Sequence, residues 1–127
     1  MFSVGVFVCL LTKPQDGWYN YSMDIFILRK SITDLKNPIV KTEYVTNAKT
    51  VGEFICEMVQ KNYAARPVSM PLDECKRIAL DEFGDGSYYI INRTKDIKYS
   101  DVDQITEMTD GDEIILIKLK YVRGLIW

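Results

Sequence analysis

The chain has 127 residues, a length that gives one domain able to bury a core of its own. Apolar residues make up 47% and charged residues 27%, ordinary for a soluble globular chain and wrong for a disordered one. The 16 Lys+Arg against 18 Asp+Glu leave a net charge of −2, with no basic excess for nucleic acid or anionic membrane, and the absence of histidine removes imidazole bases, relays and metal ligands together with Ser-His and Cys-His nucleophile pairs.

Residues 4–11 (VGVFVCLL) form an apolar run shorter than the roughly 18 residues that a bilayer span takes. No basic flank precedes them and no small-x-small cleavage site follows, so a signal peptide does not fit. Residues 1–22 are expected to be an N-terminal extension. They form either an extra strand, ended by Pro14 and Asp16-Gly17, or a stretch upstream of a natural start at Met23. The continuous apolar run 23–29 predicts a strand covered on both faces. After Pro38, residues 39–46 mix β-branched and charged side chains, a half-exposed second strand that closes a hairpin with the first.

Thr50-Val51-Gly52-Glu53 is a capping box. Val51, Phe54, Ile55, Met58, Val59 and Tyr63 then fall on one helical stripe, which stops before Arg66-Pro67. A second helix is expected from Pro71, with Asp73 and Glu74 near its positive end. Leu72, Cys75, Ile78, Ala79 and Phe83 make its apolar face, and Gly84-Asp85-Gly86 ends it. Residues 87–93 predict a strand and Thr94-Lys95-Asp96 a turn. Val102, Ile105 and Met108, spaced by three, suggest a helical or 3₁₀ turn packing three anchors. Asp110-Gly111-Asp112 is a tight turn into residues 113–122, the most strand-like run of the chain.

Three segments resemble the landmarks of ubiquitin-like domains: the first strand at 23–29, the helix start Lys49-Thr50-Val51-Gly52-Glu53-Phe54-Ile55, and Asp110-Gly111-Asp112-Glu113-Ile114-Ile115-Leu116-Ile117. In that superfamily a T-V-x-x-L/F pattern opens the central helix and a D-G-D/T-x-I-x-L pattern opens the last strand. The resemblance covers residues 23–122. It implies an α+β β-grasp fold, a mixed sheet packed on one main helix. An inserted second helix at about 67–86, the extension 1–22 and an apolar tail 123–127 are additions to the minimal fold.

The resemblance also raises conjugation, in which a C-terminal Gly-Gly is adenylated by a partner enzyme or loaded with sulfur. Here only Gly124 is present, followed by Leu125-Ile126-Trp127. Those three residues are expected either to fold back onto the body or to anchor a partner or a second copy. Lys118, Lys120 and Val122 are predicted to share one face of the last strand, with Arg123 following, a mixed basic and apolar composition suited to an interaction surface or to a solvated face. The acidic residues Asp101, Asp103, Glu107, Asp110, Asp112 and Glu113 fail as a calcium loop, because Ile105 and Thr106 fall where a ligand and a glycine are needed. Neither a Walker A loop nor a G-x-G-x-x-G occurs. Cys9, Cys56 and Cys75 form no metal spacing and are expected to be free thiols in a reducing compartment, Cys56 and Cys75 as buried apolar residues.

The expectation is therefore a non-catalytic ubiquitin-like protein–protein interaction module without cofactor or metal, cytoplasmic and bacterial in style. It would bind a protein partner through its open sheet face and its tail, with no nucleic acid and no membrane insertion, and can pair with itself through its apolar termini. A processed modifier or sulfur carrier is one alternative. A small ubiquitin-like accessory protein of a bacterial type VII secretion system is another.

Overall fold

Residues 22–32, 36 and 39–127 are described by the computed structural model, and all of the predicted extension 1–22 except its last residue lies outside them. Strand β1 (Met23–Ser31) turns back as β2 (Val40–Thr46), an antiparallel hairpin in register from Met23↔Thr46 to Arg29↔Val40. Helix α1 (Val51–Ala65) follows and buries Val51, Phe54, Ile55, Met58 and Val59, the stripe that its spacing predicts. The hydroxyl of Thr50 accepts from the Glu53 amide at 3.2 Å. The Glu53 carboxylate accepts from the Lys49 amide at 2.9 Å, one residue before the usual capping-box partner. Two more of the amides that a helix start leaves unpaired find acceptors in a distant loop: Val51 donates to the Gln104 carbonyl and Gly52 to that of Val102.

Helix α2 (Leu72–Gly84) starts after Pro71 and buries Cys75, Ile78, Ala79 and Phe83, with Gly86 at a positive φ just beyond its end. Strands β3 (Tyr88–Asn92), β4 (Ile97–Lys98) and β5 (Glu113–Lys118) complete an α+β architecture of two helices and a five-stranded mixed sheet among the described residues. The sheet order is β2-β1-β5-β3-β4; the central β1–β5 pair is parallel and the other pairs are antiparallel. Ile25 and Ile27 of β1, Ile114 and Leu116 of β5, and Tyr88 and Ile90 of β3 meet the helices in a single core. Among the described residues no helix is long and apolar enough to cross a membrane.

Two local expectations are corrected. The segment with Val102, Ile105 and Met108 is a single hydrogen-bonded turn and not a helical piece. After the short strand β4 the Gln104 amide donates to the Asp101 carbonyl at 3.1 Å, and an antiparallel bridge between Thr50 and Ile105 follows. Of the three expected anchors Val102 packs partly against the core and Met108 is buried, while the bridge leaves Ile105 57% exposed and Thr106 inside. The last strand ends at Lys118 rather than at 122. Its neighbours stop there, Ser31 and Tyr88 both being paired with Lys118. The next two amides, of Leu119 and Lys120, converge on the Ser87 carbonyl, and the chain leaves the sheet.

The acidic corner before β5 is a structural joint. Asp112 is 2% exposed, and its carboxylate accepts from Asn92 Nδ2 at 2.9 Å, Lys95 Nζ at 2.5 Å and the Thr109 amide at 3.0 Å. Burial alone would raise its pKa; hydrogen bonds from Lys95, Asn92 and the Thr109 amide, with the Lys95 charge, outweigh that and hold the carboxyl below its ordinary value. The folded state therefore binds fewer protons than the unfolded chain between the lowered value and about 3.9. The stability so gained is complete above about pH 4 and is lost as pH falls through the folded-state value. Replacing Asp112 by Asn is expected to cost about 1–3 kcal/mol in urea unfolding at neutral pH, with the gap to the parent chain narrowing below about pH 4. A gap that stays constant with pH would overturn this account.

Candidate functional site

Side chains alternate along a strand, so the register that turns Ile25, Ile27, Ile114, Leu116, Tyr88 and Ile90 toward the helices sends their neighbours to the opposite face. On that outer face Phe26 and Leu28 of β1 lie beside Glu113 and Ile115 of β5. Ile115 and Ile117 lie in turn beside Ile91 and Tyr89 of β3. Five of these six apolar residues are half-buried, Leu28 is buried, and none belongs to the core cluster between sheet and helices. A solvated antiparallel face normally alternates apolar with polar; three adjacent strands here do not.

Charge frames the strip. The Lys41 ammonium lies 4.4 Å from the Phe26 ring centroid and 2.9 Å from the Glu113 carboxylate, and Arg93 approaches Glu113 at 3.5 Å. The Lys41 hydrogen bond, aided by the charges of Lys41 and Arg93, holds the Glu113 carboxyl below its usual range. At the other end Lys98 stands 4.1 Å from the Tyr89 ring centroid. The surface is thus an apolar strip with paired ions and cation–π contacts at its margins.

None of the residues singled out from the sequence lies on this strip. Lys118 shares the strand phase of Ile114 and Leu116, so it projects on the helix side, where its ammonium sits 5.3 Å from the Trp127 ring centroid. Lys120 and Val122 are past the end of the strand and share no strand face with Lys118. Lys120 is exposed and Val122 packs partly against the core. The continuous apolar run Ile114-Ile115-Leu116-Ile117 has both phases apolar, so sequence alone could not assign its two sides. The available signal was that lack of alternation, repeated in β1 and β3.

The tail takes the first of its two expected courses and folds back onto the body. The amides of Arg123 and Gly124 donate to the Glu82 carboxylate at 2.8 and 3.1 Å. Asn62 Nδ2 donates to the Leu125 carbonyl at 2.6 Å, and Arg66 donates to that of Trp127 at 3.1 Å. Ile126 is fully buried and the Trp127 ring meets Tyr88 edge-on at 6.1 Å. Ile126 is a core residue, with no surface to offer a partner or a second copy. The Arg123 side chain is exposed, and Leu125 is half-buried against the core.

Cys75 is buried as expected, whereas Cys56 is only half-buried; both are free, and burial raises the Cys56 thiol pKa against the opposing charge of Lys76. Among the described residues no group of three or more Cys, Asp or Glu is placed to hold a metal ion. No family model, curated protein or solved structure matches this chain.

Gly124 owes its identity to packing. A Cβ built on it would lie 2.5 Å from both Cα and Cβ of Ala79, a collision with helix backbone that no side-chain rotation relieves. Gly84 meets nothing within 4 Å. Gly124→Ala is expected to lower the unfolding free energy by about 1–3 kcal/mol, whereas Gly84→Ala stays within about 1 kcal/mol of the parent. Urea midpoints of the two variants check this, and equal midpoints would overturn it.

Proposed function

We propose that the chain is a ubiquitin-like β-grasp domain that works as a non-catalytic protein–protein interaction module, through the outer face of its sheet. Support for the fold comes from the order β2-β1-β5-β3-β4 with a central parallel pair, a hairpin leading into the main helix, and the return of the last strand between β1 and β3. Helix α2 is then the insertion between the main helix and β3.

One observation carries the function: the strip Phe26, Leu28, Tyr89, Ile91, Ile115 and Ile117, which neither helix covers. Apolar side chains on both faces of three adjacent strands favour a second layer over the sheet. The framing pairs of Lys41, Arg93 and Glu113 supply register for a partner at little cost in desolvation, because they sit at the margin. Free Cys56 and Cys75 fit a reducing compartment, and we place the domain in the cytoplasm. The tail supports binding over conjugation. A modifier needs the chain around its glycine free to thread an active-site channel, whereas Gly124 is wedged on Ala79 and tied to Glu82.

Capture from the native cell with the parent chain, Ile117→Glu and Tyr89→Ala, quantified by mass spectrometry, tests the proposal. A partner enriched by the parent is expected to fall by about tenfold or more with either variant, the loss typical of a truncated or charged anchor. The same partner stays with Tyr121→Ala, a control at an exposed position off the strip. Urea unfolding of each variant separates loss of binding from loss of fold. Retention of every partner by both face variants overturns the proposal. So does native material ending after Gly124 or carrying an adduct there, which favours the modifier.

A further inference from the structure

Arg29 occupies an unusual place. It lies on the helix side of β1, at the end of the β1–β2 hairpin nearest the connection, where it pairs with Val40, and its Nε is the one buried side-chain polar atom among the described residues that lacks a hydrogen-bond partner. A guanidinium carries five donors in a planar fork, and an unmade hydrogen bond at a buried polar atom costs about 1–3 kcal/mol. Burial lowers its pKa, and the neighbouring Tyr44 opposes that shift; the group stays a cation throughout the neutral range.

Beside it a cleft of ≈ 200 Å³ opens between the hairpin and the second half of α1. Ile27, Tyr44 and Met58 give it an apolar wall, and Arg29, Lys61 and Asn62 line it with donors. These side chains are held by other contacts. The Lys61 ammonium donates to the Val45 carbonyl at 2.6 Å and lies 4.0 Å from the Tyr44 ring centroid. The Tyr44 hydroxyl donates to Glu57 at 3.2 Å, and its ring packs on Phe54 at 5.8 Å. The cleft is therefore built before anything enters it, with the buried Arg29 Nε left unmatched.

We propose that this cleft binds a small organic monocarboxylate, its carboxylate on the Arg29 guanidinium and its apolar body against Ile27, Tyr44 and Met58. The planar fork matches a carboxylate in two-point geometry. The volume suits one ring plus its acid group, since an apolar cavity of about 150 Å³ takes up benzene. A single negative charge is preferred to two. The Glu57 carboxylate lies behind the Tyr44 hydroxyl, so a phosphate dianion meets more repulsion than a carboxylate does. This site is on the helix side of the sheet, opposite the outer strip, and stands or falls independently of the proposed interaction surface.

Benzoate is the probe, with benzyl alcohol as its uncharged counterpart and inorganic phosphate as the dianion. In the full chain labelled with ¹⁵N, benzoate is expected to shift the Arg29 Nε–Hε resonance and the Met58 methyl together, saturably, below about 10 mM. Benzyl alcohol and phosphate are each expected to bind about tenfold more weakly or worse, the difference a charge-assisted hydrogen bond makes. Arg29→Gln abolishes the benzoate response. Should that variant not fold, Arg29→Lys keeps the charge without the fork and is expected to weaken binding several-fold. No saturable shift, equal affinity for benzoate and benzyl alcohol, tighter binding of phosphate, or a benzoate response unchanged in the Arg29 variant overturns the proposal and leaves a hydrated arginine only.

Discussion

The buried Asp112 carboxylate and the corner around it hold the centre of the sheet together. Parallel neighbours cannot be joined by a tight turn, and β1 and β5 stand at opposite ends of the described chain, so no local connection sets their register. The corner does this instead. Phe26 donates its amide to the Asp112 carbonyl and Gly111 donates to that of Asp24, while the Asp24 amide donates to the Asp110 carboxylate. The Asp112 side chain then reaches across to Asn92 at the end of β3 and to Lys95 in the turn beyond it. Asn92 continues the chain of polar contacts to the Tyr99 hydroxyl, which donates to the Thr106 carbonyl. One acidic residue thereby ties the start of β5 to both of its neighbours.

That arrangement matters because hydrophobic patterning does not determine which way β5 faces. A slip by one residue exchanges the two faces of a strand, and here it would exchange Ile114 and Leu116 for Ile115 and Ile117, pairs of nearly the same volume and polarity. Burial alone would barely distinguish the two registers. A slip would carry the Asp112 carboxylate away from Asn92 and Lys95, leave the buried Asn92 amide short of an acceptor and turn Glu113 inward without Lys41, which costs far more than an isoleucine repacked. The polar corner selects the phase, and the apolar strip on the outer face follows from that selection.

The same physics separates what could be foreseen from what could not. Helix α1 was legible because its cap, its stripe and its stop before Pro67 are all local signals along one segment. The hairpin, the second helix and the tight turn at Gly111 are local in the same sense. The face assignment of β5 was not, since its alternation is masked by apolar residues in both phases and is decided by partners far away in sequence. This is why Lys118, expected on the open sheet face, stands on the helix side beside Trp127, and why the strip at Phe26, Tyr89 and Ile117 has no signature of its own in the sequence. Arg29 was equally silent. An arginine at the end of an apolar strand is unremarkable until the cleft beside it and its unmatched Nε are seen together.

The tail and helix α2 depend on each other. Helix α2 packs on α1 and touches the sheet chiefly at β3, where the Tyr88 hydroxyl donates to the Ala79 carbonyl at 2.7 Å. Its remaining apolar surface is closed by the returning chain: Gly124 lies on Ala79, Ile126 enters the core, and Trp127 meets the same Tyr88. Glu82 of α2 takes the two tail amides, and Asn62 and Arg66 at the end of α1 take two tail carbonyls. The tail, a poor match to a modifier's terminus in sequence, is thus the seal on helix α2, and glycine stands at 124 because the helix backbone leaves no room for a Cβ.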